Sequence, residues 1–227
     1  DQPCFYKVDL NNFSRIKKIV NKIKPDLVFN LASNADVRKS FDFPHEFILN
    51  NHNLTLNLLE SIRICNVKPL FIHCSTSEVY GTVNKKDIPI SENQELSPVS
   101  PYAVSKTFQD LLSQLYCKVY GLNIIITRMF TYNNPRRLNL FQSAFASQIS
   151  QIEKGKQKVL SHGNLNSIRS FLDLDDGMKA YWATAKKGKV GEIYNIGGNK
   201  SYKVADFLKK LKHFSKVKIK CKINKNL

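Results

Sequence analysis

The sequence predicts an α/β fold built on a doubly wound parallel sheet, and three observations lead to it. Short runs such as residues 26–31 and 124–129 have the length of strands and almost no polar face to show to water. Longer stretches between them repeat apolar residues at helical spacing. Lys, Asn and Pro mark the joints, so strand and helix alternate, as in parallel βαβ units with helices on both faces of the sheet.

Residues 5–10 read as a first strand, and residues 12–23 as an amphipathic helix with Phe13, Ile16, Ile19, Val20 and Ile23 on one face. A second buried strand follows at 26–31, a long helix at 44–66 and a third strand at 70–74. The polar stretch 81–99, which contains Pro89 and Pro98, reads as a loop. Helix returns over 101–120, because Ser100 can cap its start and Pro101 suits the first helical position. The strand 124–129 is too apolar to be exposed on either face. Beyond Phe130 the pattern loosens into a loop at 133–138, a helix at 139–153 and short strands within 159–172. A helix at 173–186, a strand at 193–196 and a helix at 204–214 complete the chain. Residues 1–130 are expected to hold the main sheet, and residues 131–227 a smaller region interleaved with it.

Composition narrows the class. A chain of 227 residues with 42% hydrophobic and 23% charged residues can bury a core and is not disordered. No apolar run approaches the ~20 residues of a membrane span, so no membrane partner is expected. The chain starts at Asp1 without Met or a signal-like segment, and is expected to be a piece of something longer. Cys4, Cys65, Cys74, Cys117 and Cys221 are odd in number and form no CxxC, which predicts buried free thiols in a reducing, cytoplasmic setting. The histidines show no metal-binding spacing, so no metal is expected. Net charge is +17, and the run 200–225 has Asp206 as its only acid. After Lys209 only Phe214 interleaves with those lysines, so the run reads as solvated surface and argues against nucleic acid.

The chemistry-bearing cluster is Ser75-Thr76-Ser77-Glu78 with Tyr102 and Lys106. A strand end delivers the first four, while Tyr and Lys four apart share one helix face. A phenol ordinarily titrates near ~10, and bringing it to about 7, where it can act as a base near neutrality, takes roughly 4 kcal/mol in favour of the phenolate. One cation at about 4 Å supplies roughly that much at an effective dielectric of about 20. Hydroxyl, carboxylate, phenol and ammonium together suit proton and hydride chemistry on an alcohol. Arg136, Arg137 and Arg169 in the later half are candidate anion binders.

The order and spacing of Val8-Asp9-Leu10, Asn30-Leu-Ala-Ser-Asn34, STSEVYG, SPYAVSK, Asn134-Pro-Arg-Arg137, Gly163-Asn-Leu165 and Tyr194-Asn-Ile-Gly-Gly198 resemble an extended short-chain dehydrogenase/reductase. The type is the nucleotide-sugar epimerase/dehydratase, with the GDP-mannose 4,6-dehydratases the nearest match. The resemblance implies a Rossmann-type sheet, residues 1–130 as a partial NAD(P)-binding domain, and 131–227 as a partial substrate-binding region. It implies NADP, with NAD possible, a nucleotide-diphosphate sugar as substrate, and a homo-oligomer at full length. Asp9, Leu10, Leu31, Ala32, Ser33, Tyr102 and Lys106 would hold the cofactor; Ser77, Thr131, Arg137 and Arg169 would hold the substrate. Tyr102 would be the base at the sugar 4-hydroxyl, Lys106 would lower its pKa, Thr76 would bond the 4-oxygen, and Glu78 would remove the C5 proton so that water leaves. No GxGxxG or GxxGxxG occurs, so that βαβ unit is expected to precede Asp1. Thr131 and Ser170 stand where the family has Asn and Asp. A UDP-glucuronate decarboxylase or a 4-epimerase of the same family is the enzymatic alternative, and a non-catalytic RNA-binding relative the alternative from another class.

Overall fold

The computed structural model describes residues 3–138 and 140–224. Asn139, at the expected start of a helix, Asp1 and Lys225 lie outside the described residues.

Four parallel strands, β1 (Leu27–Asn30), β2 (Leu70–Thr76), β3 (Ile124–Met129) and β6 (Ile193–Ile196), form one sheet in the order β1-β2-β3-β6. Alternation along β2 and β3 divides the apolar residues between two faces. Phe71, Ile124 and Ile126 pack with Ile16 and Val20 of α1 (Phe13–Ile23), Leu59 and Ile62 of α3 (Pro44–Ile64), and Tyr116 of α4 (Pro101–Tyr120). Ile72, Cys74 and Ile125 face the other way, toward Tyr181 and Ala185 of α6 (Leu174–Lys187). Each fully buried aliphatic or aromatic side chain here contributes about 1.5–3 kcal/mol. The helices on both faces make this the doubly wound α/β class that the alternating pattern predicts.

The helix that matters most is held by local chemistry. Ser100 Oγ accepts from the Ala103 N–H at 3.0 Å, Pro101 occupies the first turn, and Gly121 takes the left-handed conformation after Tyr120. These signals reproduce the expected bounds of 101–120.

By contrast, residues 5–10 are not a strand. They run as irregular, mostly exposed backbone, with Leu10 half-buried against the core, up to Asn12, whose side chain caps α1. Apolar content alone does not hold a strand; its N–H and C=O groups need a neighbouring ladder, and none pairs with this segment among the described residues. Conversely, α2 (Val37–Asp42) forms where no helix was expected, capped by Asp36 Oδ1 accepting from the Lys39 N–H at 3.1 Å. The expectation of buried free thiols holds in part. Cys74 is buried, but Cys4 lies in the exposed segment and Cys221 on a short exposed strand; all five are free.

Contacts divide the chain into two compact units, residues 1–129 with 180–196, and residues 130–179 with 197–227. The second unit has its own core: Phe145 and Ile149 of α5 (Phe141–Glu153), Leu160 of β4 (Leu160–His162), Val204 and Leu208 of α7 (Val204–His213), and Ile219. β4 pairs in parallel with β8 (Cys221–Ile223), and β5 (Ile168–Ser170) pairs antiparallel with β7 (Ser201–Lys203). Phe171 stacks on Phe207 with ring centres 5.1 Å apart.

Candidate active site

Parallel register sets the carboxyl ends of the strands along one edge, with Asn30 opposite His73, and Thr76 opposite Met129, which in turn pairs with Ile196. Ligands bind at this edge in open α/β sheets. Thr76 ends β2, and its hydroxyl oxygen accepts the Glu78 N–H at 3.3 Å, capping a 3₁₀ turn from Ser77 to Tyr80. Its O–H remains available to donate. Ser77 and Glu78 are half-buried on that turn, while Val79 and Tyr80 anchor it in the interior.

Gly81 closes the turn at φ +64°, and a Cβ there would lie 1.8 Å from the Ser97 carbonyl oxygen. The loop from 81 to 99 therefore runs tightly against the turn, tied by the Ser97 N–H to the Val79 oxygen at 3.0 Å.

α4 packs against both β2 and this turn, bringing Tyr102 and Lys106 to the same end of the sheet. Both are buried, at 9% and 3% exposure. Lys106 Nζ donates to the Cys74 carbonyl oxygen at 2.9 Å, which leaves two of its three N–H positions for other partners, and it forms no ion pair among the described residues. Burial pushes its pKa down to about 8, a fall that Cys74 and Asp110 partly oppose. His73, buried on the same strand, is held well below its ordinary value by burial and by Lys106, so its imidazole is neutral. Burial pushes the Cys74 thiol up to about 11, which keeps it protonated.

Behind α4 runs a polar network. Asn51 Nδ2 donates to Ser105 Oγ at 2.8 Å and to the Asn34 oxygen at 3.1 Å, and Gln109 Nε2 donates to Thr55 Oγ1 at 2.7 Å and to the Asn51 oxygen at 2.8 Å. It ties the helix to α3 and to the segment after β1, and fixes the depth at which Tyr102 and Lys106 sit.

Of the expected cofactor residues, Leu31 is exposed and Ala32 and Ser33 are half-buried, all just past β1 at the strand-end edge. Asp9 is exposed and accepts from the Asn11 N–H at 2.9 Å; the Leu10 oxygen accepts from Asn57 Nδ2 at 2.9 Å. The expected substrate residues Thr131, Arg137 and Arg169 belong to the other unit. There the Thr131 oxygen accepts the Leu172 N–H at 3.1 Å, the Arg137 N–H bonds the Asn134 oxygen at 3.1 Å, and exposed Arg169 donates to the Ile168 oxygen at 2.9 Å. That unit also holds a cleft of about 360 Å³ beside Asn134, Pro135, Gln142 and Phe207. Sequence reasoning missed Arg128 and Asp110, an ion pair buried at 2% and 0% side-chain exposure. The available signal was an arginine inside a strand otherwise too apolar for water.

A family model for GDP-mannose 4,6-dehydratase matches residues 1–226. The chain belongs to the GDP-mannose 4,6-dehydratase family. It is 33% identical over 203 residues to a dTDP-glucose 4,6-dehydratase of Haemophilus influenzae, covering 86% of this chain and 59% of that protein. The solved structure of RMD from Pseudomonas aeruginosa, complexed with NADPH, superposes with a TM-score of 0.92 at 26% identity, covering 99% of this chain and 77% of that one. A UDP-glucuronic acid 4-epimerase from Bacillus cereus, solved with UDP-glucuronic acid and NAD, gives a TM-score of 0.83 at 32% identity, over 97% of this chain and 68% of that one. The chain thus spans about three-fifths of the Haemophilus relative, and the Rossmann-type class expected from its motifs holds. Among the described residues no helix is long and apolar enough to cross a membrane.

Proposed function

We propose that the full-length protein is a nucleotide-sugar 4,6-dehydratase acting on GDP-mannose with NADP, or NAD, as cofactor. The observation that supports it most is Lys106, a buried ammonium with two uncommitted N–H positions, one helical turn from Tyr102 on a helix packed against the turn that carries Glu78. Those two donors fit the ribose hydroxyls of a nicotinamide dinucleotide, with Asp9 and Leu10 toward its adenine end and Leu31, Ala32 and Ser33 toward its pyrophosphate. When bound, the cofactor supplies a hydride sink at C4 and later a hydride source at C6.

The chain's own residues do the proton work. Tyr102 takes the proton of the 4-hydroxyl, helped by the charge on Lys106. Thr76, whose oxygen already accepts the Glu78 N–H, donates its O–H to the oxygen that becomes the 4-keto group. The ketone acidifies C5–H; Glu78 takes that proton and passes it to the C6 hydroxyl, which leaves as water as the C5–C6 double bond forms, and a solvent proton is taken up at C5 when C6 is reduced. A 4-epimerase has no need of this last carboxylate. Arg137 and Arg169 hold the diphosphate, Thr131 contacts the sugar, and Ser77 favours the mannose type, because glucose-type dehydratases place Asp there. The full-length protein pairs with a second copy.

The experiment is incubation of the full-length protein with GDP-mannose, dTDP-glucose, UDP-glucose and UDP-glucuronate, each with NADP⁺ or NAD⁺, and mass analysis of the products. Loss of one water from GDP-mannose is expected. Loss of carbon dioxide from UDP-glucuronate, or an unchanged mass with an inverted C4, would overturn the reading.

A further inference from the structure

The sheet-bearing unit contains a buried polar chain that the steps above leave without a task. Arg128, at the carboxyl end of β3, is 2% exposed. Its Nε and Nη2 donate to the two carboxylate oxygens of Asp110 at 2.9 and 3.1 Å. Its Nη1 donates to Tyr80 Oη at 3.0 Å and to the Glu92 carbonyl oxygen at 2.9 Å, and its guanidinium lies 5.0 Å from the centre of the Tyr80 ring. The Tyr80 hydroxyl donates to Asn195 Oδ1 at 2.7 Å, and the Asn195 N–H donates to Glu92 Oε1 at 2.8 Å.

The places of these partners in the fold are what matter. Asp110 follows Lys106 by one turn on α4, and Tyr80 closes the turn that begins at Ser77 and carries Glu78. An ion pair that served only to neutralise Asp110 would need two nitrogens of the fork; the third reaches the catalytic turn and the loop beyond it. We propose that Arg128 is a positioning residue that sets the register between the helix bearing Tyr102 and Lys106 and the turn bearing Glu78. A planar fork fixes both partners at once, which a lysine cannot do.

The inference rests on the dehydratase reading, in which Tyr102, Lys106 and Thr76 act at C4 and Glu78 at C5. Thr76 is the last residue of β2 and keeps its pairing with Met129, whereas Glu78 sits on the turn itself, so a slipped turn slows elimination more than oxidation. In the full-length protein, Arg128→Lys is expected to lower kcat by ~10–100-fold with KM within about threefold, since misplacement by an ångström costs that much. Enzyme-bound reduced cofactor is expected to accumulate during turnover and to show in the near-ultraviolet absorbance. Tyr80→Phe keeps the ion pair and loses the hydroxyl link, so the same readouts should move by a smaller factor, about 3–10-fold. In cofactor-free protein, amide exchange at Val79, Tyr80 and Gly81 is expected to quicken in both variants while Phe71, Ile72 and His73 stay protected.

Wild-type kcat in both variants with unchanged exchange in the turn overturns the inference. If Arg128→Lys does not fold, Tyr80→Phe decides it alone. If the wild type shows no dehydration of any nucleotide sugar, the functional reading fails, and the exchange measurement still tests whether Arg128 holds the turn.

Discussion

Lys106 and Arg128 are two buried cations in one unit, and their surroundings could hardly differ more. Arg128 has both oxygens of Asp110, a tyrosine hydroxyl and a backbone carbonyl bonded to it, whereas Lys106 bonds one backbone carbonyl and, among the described residues, no carboxylate. Burying a charge costs several kcal/mol unless hydrogen bonds and an opposite charge offset it. Arg128 is offset within the fold and so belongs to the scaffold. Lys106 is left under-offset, which suits the proposed function, in which a bound cofactor would complete its shell.

Breaking the pair should produce the largest effect. Arg128→Met leaves Asp110 buried without its partner and is expected to destabilise the chain by about 3–5 kcal/mol in urea unfolding, while Arg128→Met with Asp110→Leu recovers most of that loss. Lys106→Met does the opposite: turnover falls by ~10³-fold, the rate equivalent of a cation worth about 4 kcal/mol, while the thermal midpoint holds or rises because a buried charge is gone. A fall in midpoint by several degrees would show that Lys106 supports the fold after all. Next in size, Glu78→Gln is expected to lower dehydration by about 10²-fold with stability unchanged, because this half-buried turn carboxylate has no ion pair to lose among the described residues.

The smallest effect comes from pH. Burial holds Lys106 at about 8, below its ordinary 10.5, so between those values the unfolded chain binds more protons than the folded one. From this group alone, then, stability rises as pH climbs from 8 to 10.5, and the burial cost is fully present below 8. Activity runs the other way, declining as the ammonium loses its charge above about 8. A pH–rate profile beside a pH–stability profile reads both from one residue.

How much of this was legible in the sequence follows from whether the cause was local. The bounds of α4 were readable because Ser100, Pro101 and Gly121 act within a few residues of themselves. β3 was readable from its largely apolar run, and the spacing alone put Thr76 and Glu78 at a strand end and Tyr102 with Lys106 on one helix, where the structure has them. The strand expected at 5–10 was misread because a ladder needs a partner that the segment's own composition cannot report. β7 and β8, three exposed residues each, are strands only through their pairing. The Arg128–Asp110 bond escaped for the same reason: the two lie on different elements, and only the fold makes one the counter-ion of the other.

The position of β6 has a consequence for biosynthesis. Residues 193–196 complete the sheet beside β3, and Asn195 bonds Tyr80 across 115 positions of sequence. With synthesis running at ~5–20 residues per second, the sheet stays unfinished for several seconds after residue 129 is made, its β3 edge without a neighbour. The last brace of the Ser77–Tyr80 turn thus arrives long after the turn itself. A nascent chain halted at residue 179 exposes that edge and invites chaperone binding or aggregation, while one halted beyond residue 196 can close the sheet.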